Sequence, residues 1–262
     1  MMFPTNCWYA AAFDHEVTQK PFPLVILNEP LVFFRRENGS VAALRDRCAH
    51  RMVPLSLGRV SGDNIQCRYH GFTYDSGGKC VWAPGQAAPP NSNIRAYPVI
   101  ERRHLIWVWI GDEALADSSQ IVDEVFAGLG EPGWNFKGER LFVEAGYQLL
   151  IDNLMDMLHL GYLHRGTIGS EAIRQGKFET RLERPSGAIQ VSRWIPNHLP
   201  SPTSARGQKT SEENSAPVLD PEDAWHVATF GPPCNVRIDA GAQIEAAFHL
   251  IRERLGAPEV LL

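Results

Sequence analysis

Cys48-Ala49-His50-Arg51 and Cys67-Arg68-Tyr69-His70-Gly71 are the two segments that decide the fold of this 262-residue chain. As a pattern they read C-x-H and C-x-x-H, with sixteen residues between them. Each segment supplies one thiol and one imidazole, which are side chains that bind transition metals. Turn residues flank both segments, so the four side chains are expected to converge from the tips of two hairpins. The pattern therefore predicts a metal centre built from two loops.

The donor set of these loops matches one kind of centre in particular. A Rieske [2Fe–2S] cluster needs two Cys on one iron and two His on the other. Neutral imidazole in place of thiolate raises the reduction potential above that of an all-Cys ferredoxin. A structural zinc is the alternative, but its usual spacings pair Cys with Cys and His with His. Because each loop supplies one of each, the pattern favours the cluster, with the ligands Cys48, His50, Cys67 and His70.

Composition limits the other possibilities. The chain has 44% hydrophobic and 21% charged residues, which is ordinary for a globular protein. Its formal net charge of -5 gives no reason to expect a nucleic-acid partner. No apolar run approaches the ~18 residues of a membrane span, and the start lacks a secretory signal. Five scattered cysteines argue against a disulfide framework, so we expect a cytoplasmic protein with reduced thiols, away from membranes.

The rest of the sequence predicts two kinds of structure. The first ~110 residues read as short strands between turns, and Asn38-Gly39 between apolar runs is a strong hairpin signal. After Gly111 the pattern changes to helices mixed with strands, and 198–221 reads as a loop. Helices are predicted at 114–129, 148–163 and, as an amphipathic tail, 243–255. Strands are predicted at 31–36, 41–45, 72–74, 80–82, 106–110, 142–144, 178–182, 189–194, 225–230 and 236–238.

A second constellation lies within the predicted helix 148–163 and just beyond it. Asp156, His159 and His164 form the pattern D-x-x-H-x-x-x-x-H. Asp156 and His159 share a helix face, but His159 and His164 would point about 140° apart on a regular helix. Convergence on one metal needs a π-type turn or a break, which Gly161 could permit. Two partly buried histidines beside a capping carboxylate are the alternative interpretation.

Together these motifs resemble the Rieske non-haem iron oxygenases. Trp82-Ala83-Pro84-Gly85 is similar to the third loop that covers the cluster in that family, whereas Ala49 stands where the family usually has Pro. The resemblance runs from residue 3 to about 241 and is strongest to the vanillate O-demethylase and dicamba monooxygenase branch. The segments that carry it are Phe3–Tyr9, Ile151–Asp156, Ile168-Gly169, Asp223–Trp225 and Phe230–Pro233.

The resemblance implies a role for each residue of the second motif. His159 and His164 would bind a mononuclear Fe(II), in a triad of two His and one carboxylate. Asp156 would be the bridging carboxylate that links this iron to the cluster of a neighbouring subunit, and Asn153 would support it. The implied partners are a separate flavin and [2Fe–2S] reductase, O₂ and a small aromatic substrate, in a homotrimer.

The chain departs from the family pattern at the third iron ligand. In the family this is a carboxylate well downstream, whereas here only 98 residues follow His164. Asp239, Glu245, Glu253 and Glu259 lie in that stretch, and none has a recognisable ligand context. The third ligand therefore stays unknown, and the catalytic domain is expected to be abbreviated.

These inferences give one main prediction and two alternatives. We expect an all-β Rieske domain at 1–112, then a truncated α+β domain of the helix-grip kind at 113–262. The implied activity is O-demethylation or hydroxylation of a small aromatic acid such as vanillate. A methoxy group would be hydroxylated and lost as formaldehyde. The alternatives are a Rieske-type electron carrier and an inactive, truncated oxygenase. The capacity to load a mononuclear iron would separate them from the main prediction.

Overall fold

The computed structural model describes residues 3–126, 128–132, 136–184, 186–203 and 222–243. The predicted tail helix, His249 and the acidic residues Glu245, Glu253 and Glu259 lie outside these ranges, as does most of the predicted loop 198–221. By packing, the chain divides into two compact units, Met1–Leu141 and Phe142–Leu262. Each unit is described by itself below.

The first unit consists of antiparallel sheets of short strands. One sheet has the order β1-β11-β10, with β1 (Cys7–Phe13), β10 (Val99–Arg102) and β11 (Leu105–Ile110). The next has the order β2-β3-β4-β9, with β2 (Phe22–Ile26), β3 (Glu29–Arg35), β4 (Val41–Arg45) and β9 (Ala96–Tyr97). The third has the order β5-β6-β7-β8, with β5 (Arg59–Ser61), β6 (Asn64–Gln66), β7 (Thr73–Tyr74) and β8 (Cys80–Trp82).

Glycines at tight turns set the register of these hairpins. Gly39, in the predicted turn between β3 and β4, has φ 86° and donates to the carbonyl of Arg36. Gly78, between β7 and β8, has φ 79°, and a Cβ there would lie 2.2 Å from the carbonyl oxygen of Ile94. Only glycine adopts this conformation so close to another backbone without strain. The hairpins predicted around these two turns are confirmed.

The predicted helix over 114–129 is wrong. Residues 113–126 instead form three single 3₁₀ turns, Glu113–Leu115, Ser118–Gln120 and Asp123–Phe126. The side chains of Asp112 and Asp117 accept hydrogen bonds from Ala114 N and Ser119 N, so each carboxylate caps one turn. An Asp that caps its own turn competes with a continuous helix.

This segment packs on the first unit. Ile121 is buried among Trp8, Trp107 and Trp109, and the indole Nε1 of Trp8 donates to the carbonyl of Asp117 at 2.8 Å. The domain bounds 1–112 and 113–262 stay a prediction, while by packing residues 113–126 lie with the first unit.

The second unit combines short helices with one antiparallel sheet. Its helices are α1 (Tyr147–Met155), α2 (Leu160–Leu163) and α3 (Glu171–Gln175), with a 3₁₀ turn at Met157–His159. Its sheet has the order β12-β13-β14-β15, with β12 (Glu179–Leu182), β13 (Ile189–His198), β14 (Glu222–Gly231) and β15 (Asn235–Gln243). The four strands predicted over 178–238 are therefore confirmed, and so is the predicted class of an all-β unit followed by an α+β unit.

Two predicted elements of the second unit differ from the structure. The strand at 142–144 is absent: the segment pairs with no strand among the described residues, and Phe142 is 87% exposed. The helix over 148–163 is interrupted at Asp156, which has φ −88° and ψ 97°. No helix in the described part of the chain is long and apolar enough to cross a membrane.

Candidate metal centres

The first Cys/His loop is closed by backbone hydrogen bonds around its cysteine. Cys48 N donates to Val53 O at 2.9 Å, and Met52 N donates back to Cys48 O at 2.9 Å. Met52 adopts φ 56°, the left-handed conformation that turns the chain back. The carboxylate of Asp46 accepts from Ser56 N at 2.7 Å and Ser56 Oγ at 2.6 Å, which ties the loop to its base. The loop is thus fixed by its own backbone and by the Asp46 carboxylate.

The second loop repeats this design. Cys67 N donates to Phe72 O at 2.8 Å, and Gly71 N donates to Cys67 O at 3.0 Å. Gly71 adopts φ 77°, at the same position after its cysteine as Met52. A Cβ at Gly71 would lie 2.9 Å from the indole of Trp82, so this position has little room for a side chain. The two loops are structural equivalents, although one has C-x-H spacing and the other C-x-x-H.

The structure brings the four predicted cluster residues together in two layers. Cys48 and Cys67 are 2% and 3% exposed, and the two thiols influence one another electrostatically. The rings of His50 and His70 are exposed, with their Nδ1 atoms 3.1 Å apart. Burial, reinforced by the Cys48 thiol, raises the pKa of Cys67, so a positive metal centre would be needed to hold it as thiolate.

This pairing fits a binuclear cluster. Two sulfur donors lie together inside and two nitrogen donors lie together at the surface, which matches one iron with two Cys and one with two His. The donor arrangement therefore favours the [2Fe–2S] interpretation over a tetrahedral zinc.

One further residue, Tyr74, touches the thiol layer, and it was not among the candidate site residues predicted from the sequence. The hydroxyl of Tyr74 accepts a hydrogen bond from Ala49 N at 3.0 Å and lies 3.3 Å from Cys48 Sγ. Tyr74 is fully buried, and this burial raises the pKa of its phenol. The sequence shows an aromatic residue in the strand after C-x-x-H. A hydrophobic pattern does not distinguish Tyr from Phe, so it could not predict the hydroxyl beside Cys48.

In the second unit, the helix break lies at Asp156 and not at Gly161 as predicted. The Asp156 carboxylate accepts from Leu158 N at 2.8 Å, which starts a new turn after α1 ends. Gly161 has another role: a Cβ there would lie 2.9 Å from Arg174 Cβ, so glycine lets α2 approach α3 closely. The predicted interruption of the helix is confirmed, and the capping carboxylate of Asp156 sets its position.

The break places the two predicted iron ligands side by side. The rings of His159 and His164 have centroids 5.3 Å apart and an interplanar angle of 64°. His159 Nδ1 is hydrogen-bonded to the backbone carbonyl of Asp156, which orients the ring. The other ring nitrogen, Nε2, is then available for a metal. Asp156, His164 and the adjacent Asn153 are exposed, while His159 is partly buried.

A third ligand is not found among the described residues. Asp239 is paired with Arg237 at 2.6 Å, so its carboxylate is already engaged. His159 and His164 fit two positions of a facial triad, and the acidic residues beyond Gln243 lie outside the described chain. The third position stays open.

A buried basic cluster on the sheet of the second unit was also missed by the sequence. Arg193 is 0% exposed, stacks 3.8 Å from the centre of the Phe178 ring and donates to Ile173 O. Its Nε and Nη2 have no partner among the described residues. His226 pairs opposite Arg193, and burial lowers its pKa to about 4, helped by the charges of Arg193 and His198.

Comparison with known proteins covers both units. Residues 7–98 match the family model of the Rieske [2Fe–2S] domain, and residues 143–257 match that of the vanillate O-demethylase oxygenase C-terminal domain. The chain is 35% identical over 246 residues to the iron–sulfur subunit of a toluene-4-sulfonate monooxygenase system from Comamonas testosteroni. It is 41% identical over 235 residues to the oxygenase component of dicamba O-demethylase from Stenotrophomonas maltophilia.

These alignments span most of this chain but about two thirds of each relative. They cover 92% of this chain and 67% of the toluene-4-sulfonate subunit, and 86% and 64% for dicamba O-demethylase. The crystal structure of dicamba monooxygenase bound to 3,6-dichlorosalicylic acid superposes with a TM-score of 0.85 at 36% identity, over 94% of this chain and 70% of that one. Another crystal structure of that enzyme contains non-haem iron and dicamba.

Proposed function

This chain belongs to the Rieske non-haem iron oxygenases as an oxygenase component, and we propose that it O-demethylates or hydroxylates a small aromatic acid such as vanillate. The observation that carries the proposal is the pair of equivalent loops that set two thiols beneath two imidazoles. A match to the catalytic domain over 143–257 favours an oxygenase over a bare electron carrier.

Each metal group would be held by a distinct set of side chains. Cys48 and Cys67 would hold one iron of the cluster, with His50 and His70 on the other, while His159 and His164 would supply two ligands to the mononuclear iron. When bound, these groups supply one-electron transfer and O₂ activation.

The protein contributes orientation and exclusion of water. The thiols are shielded inside the first unit, which limits solvent access to the sulfur side of the cluster. The rings of Phe72 and Tyr69 lie 4.9 Å and 3.9 Å from those of His50 and His70 and restrict their rotation. In the second unit, the Asp156 carbonyl fixes the ring of His159, and its carboxylate caps the following turn.

The acidic character of the substrate is supported by the buried basic cluster. A guanidinium remains charged when it is buried, and a buried cation without a counter-charge is costly. The charge of the Asp156 carboxylate acts on Arg193, but Nε and Nη2 of Arg193 have no hydrogen-bond partner in the described chain. A substrate carboxylate is a suitable acceptor for these two nitrogens, and a sulfonate would offer the same charge.

Turnover tests this proposal directly. The full chain, loaded with iron and supplied with a flavin and [2Fe–2S] reductase, should consume O₂ and release formaldehyde from vanillate. The His159→Ala variant should do neither, because it lacks an iron ligand. A fully loaded chain that converts no methoxybenzoate and no arylsulfonate would overturn the proposal.

We also propose a homotrimer in which electrons cross between neighbouring chains. His50, His70 and Asp156, the partners of the implied bridge, are all exposed. Mixing a Cys67→Ser chain with a His159→Ala chain tests this, since only crossing electrons can restore activity to two inactive variants. Restored activity in a mixed species three times the chain mass supports the proposal, and an active monomer contradicts it.

A cytoplasmic location is proposed as well, since thiols stay reduced there.

A further inference from the structure

The two predicted iron ligands of the second unit are held in different ways. The ring of His159 is hydrogen-bonded through Nδ1 to the carbonyl of Asp156, so its orientation is fixed directly. Within the described residues, no hydrogen bond reaches the ring nitrogens of His164, whose ring meets that of His159 edge-on with centroids 5.3 Å apart. The direction of the His164 ring is therefore set chiefly by its own main chain.

The main chain of His164 is hydrogen-bonded on both sides. His164 N donates to Leu160 O at 3.2 Å, at the end of α2. The carbonyl of His164 accepts from Thr167 N at 2.9 Å, from Thr167 Oγ1 at 3.2 Å and from Gly169 N at 2.9 Å. Thr167 O in turn accepts from Thr203 N at 3.1 Å, which anchors the loop away from the iron ligands. These contacts hold the peptide groups before and after His164 in place.

Gly169 lies at a position where only a residue without a side chain fits. It is buried, and a Cβ there would lie 2.2 Å from Leu160 O, 2.9 Å from His164 C and 3.0 Å from Arg165 N. All three are main-chain atoms, which cannot swing aside as the end of a side chain can. The φ of Gly169 lies outside the left-handed region, so a side chain is excluded by lack of space and not by backbone conformation. Nonbonded atoms pack at about 3.5–4 Å, so a methyl group would displace the main chain here by about 1 Å.

We propose that Gly169 is a positioning residue for the mononuclear iron. Its close approach to α2 fixes the main chain of His164 and thereby directs the imidazole of His164 toward that of His159. Metal ligands need to be held within about 0.5 Å of their binding geometry, which is less than the displacement that a methyl group at Gly169 would cause. The inference rests on the proposed assignment of His159 and His164 to the iron.

The test is an Fe(II) titration, without oxygen, of the full, cluster-loaded chain from which the mononuclear iron has been removed. Gly169→Ala should weaken Fe(II) binding about 10–100-fold while labile sulfide stays unchanged, as is typical when a group that orients a ligand is altered. Gly166→Ala is the matched control in the same loop, since a Cβ there would meet nothing in the described chain within 4 Å. Its Fe(II) affinity should equal that of the wild type.

Spectroscopy separates positioning from a general loss of stability. With nitric oxide added as a probe at saturating Fe(II), the EPR signal of the ferrous site should change in Gly169→Ala and keep its wild-type form in Gly166→Ala. A Gly169→Ala chain that is folded by circular dichroism and has wild-type affinity and signal would overturn the proposal. Equal losses in both variants would also overturn it, because any added methyl group in the loop would then have this effect.

A second measurement uses the wild-type chain, in case Gly169→Ala does not fold. Fe(II) should slow hydrogen exchange at the Gly169 amide, which donates to His164 O, and leave the Gly166 amide unchanged, which has no acceptor among the described residues. Exchange at Gly169 that does not respond to Fe(II) would contradict the proposal. A wild type that binds no Fe(II) beyond its cluster refutes the iron-site assignment itself, whereas equal Fe(II) affinities in the wild type and Gly169→Ala refute only the positioning role.

Discussion

The loops of the first unit and the helices of the second both carry predicted metal ligands, but their backbones hold those ligands differently. Each cysteine in the loops is enclosed by two backbone hydrogen bonds of 2.8–3.0 Å, and both thiols are buried. In the second unit, His159 ends a short 3₁₀ turn after a break, and His164 follows the short helix α2 and is exposed. The first site has its full donor set, whereas the part of the chain that the structure describes supplies two of three donors to the second.

This difference shows where the binding free energy of each metal must come from. Ligands in a preformed site lose little conformational entropy when the metal binds. The cluster loops are of this kind, because their backbone hydrogen bonds exist without metal. The pair His159 and His164 needs a third group to complete its triad. The first site should therefore be filled independently of the second.

The largest effect is expected from removing a cluster thiolate. Cys67→Ser should abolish labile sulfide and the visible absorption of the cluster, because an iron loses a ligand from its buried side. Cys80→Ser is the matched control, since Cys80 is 3% exposed in the same core but donates only to Trp82 O. Sulfide analysis of both chains checks this, and equal losses would mean that general damage to the core causes the effect.

Removing an iron-site histidine should affect only the second site. His159→Ala is expected to lose about one iron per chain and at least roughly 100-fold in activity, while labile sulfide and the reduced EPR signal stay unchanged. His15→Ala, at an exposed position of the first unit, should retain all metal. Loss of cluster sulfide in His159→Ala would show that the two sites do not fill independently.

A smaller effect is expected at Asp156. Asn can still cap Leu158 N but has no negative charge, so Asp156→Asn should keep the helix break and both metal centres. Activity should fall about 10–100-fold, as is typical when a group that orients a ligand is changed. Iron content and circular dichroism, measured with turnover, test this prediction. Unchanged turnover would remove Asp156 from the mechanism.

The fourth prediction concerns stability and pH in the second unit. The pKa of His226 is lowered from 6.5 to about 4 by burial and by the charges of Arg193 and His198. Between those values the unfolded chain binds the proton and the folded chain does not. The part of the free energy of unfolding that depends on neutral His226 is therefore fully present above pH 6.5 and is lost as pH falls toward 4. The loss is about 3 kcal/mol at 1.36 kcal/mol per pKa unit.

Urea unfolding between pH 4.5 and 7.5 measures this contribution. His226→Gln keeps a polar side chain that does not titrate, so its stability should decline less on acidification than that of the wild type. The carboxylates common to both chains cancel in this comparison. Parallel pH profiles would show that His226 does not titrate as described.

The sequence predicts the parts of this molecule that depend on local chemistry. The hairpin at Asn38-Gly39 requires positive φ, and the donor types at Cys48 and His50 follow from side-chain identity, so both could be recognised. The failed helix over 114–129 and the displaced break at Asp156 share one cause. In both places an Asp side chain caps its own turn, and hydrophobic periodicity does not report such competition.

Residues defined by distant contacts could not be predicted. Tyr74 lies 26 positions from Cys48 along the chain, and a hydrophobic pattern does not distinguish it from Phe. Arg193 lies two positions from Val191 and from Ile195 on β13, so it shares a face with apolar residues. Only its contacts with Ile173 and Phe178 show that Arg193 is buried. Tertiary structure, and not local propensity, gives these two residues their surroundings.

The most direct measurement is the metal and sulfide content of the chain purified without oxygen, with the EPR spectrum of its dithionite-reduced form. We expect about two labile sulfides, about three irons and a reduced Rieske signal that depends on Cys67. The third iron should disappear in His159→Ala while the signal remains. Zinc bound without labile sulfide would contradict the assignment on which the function rests.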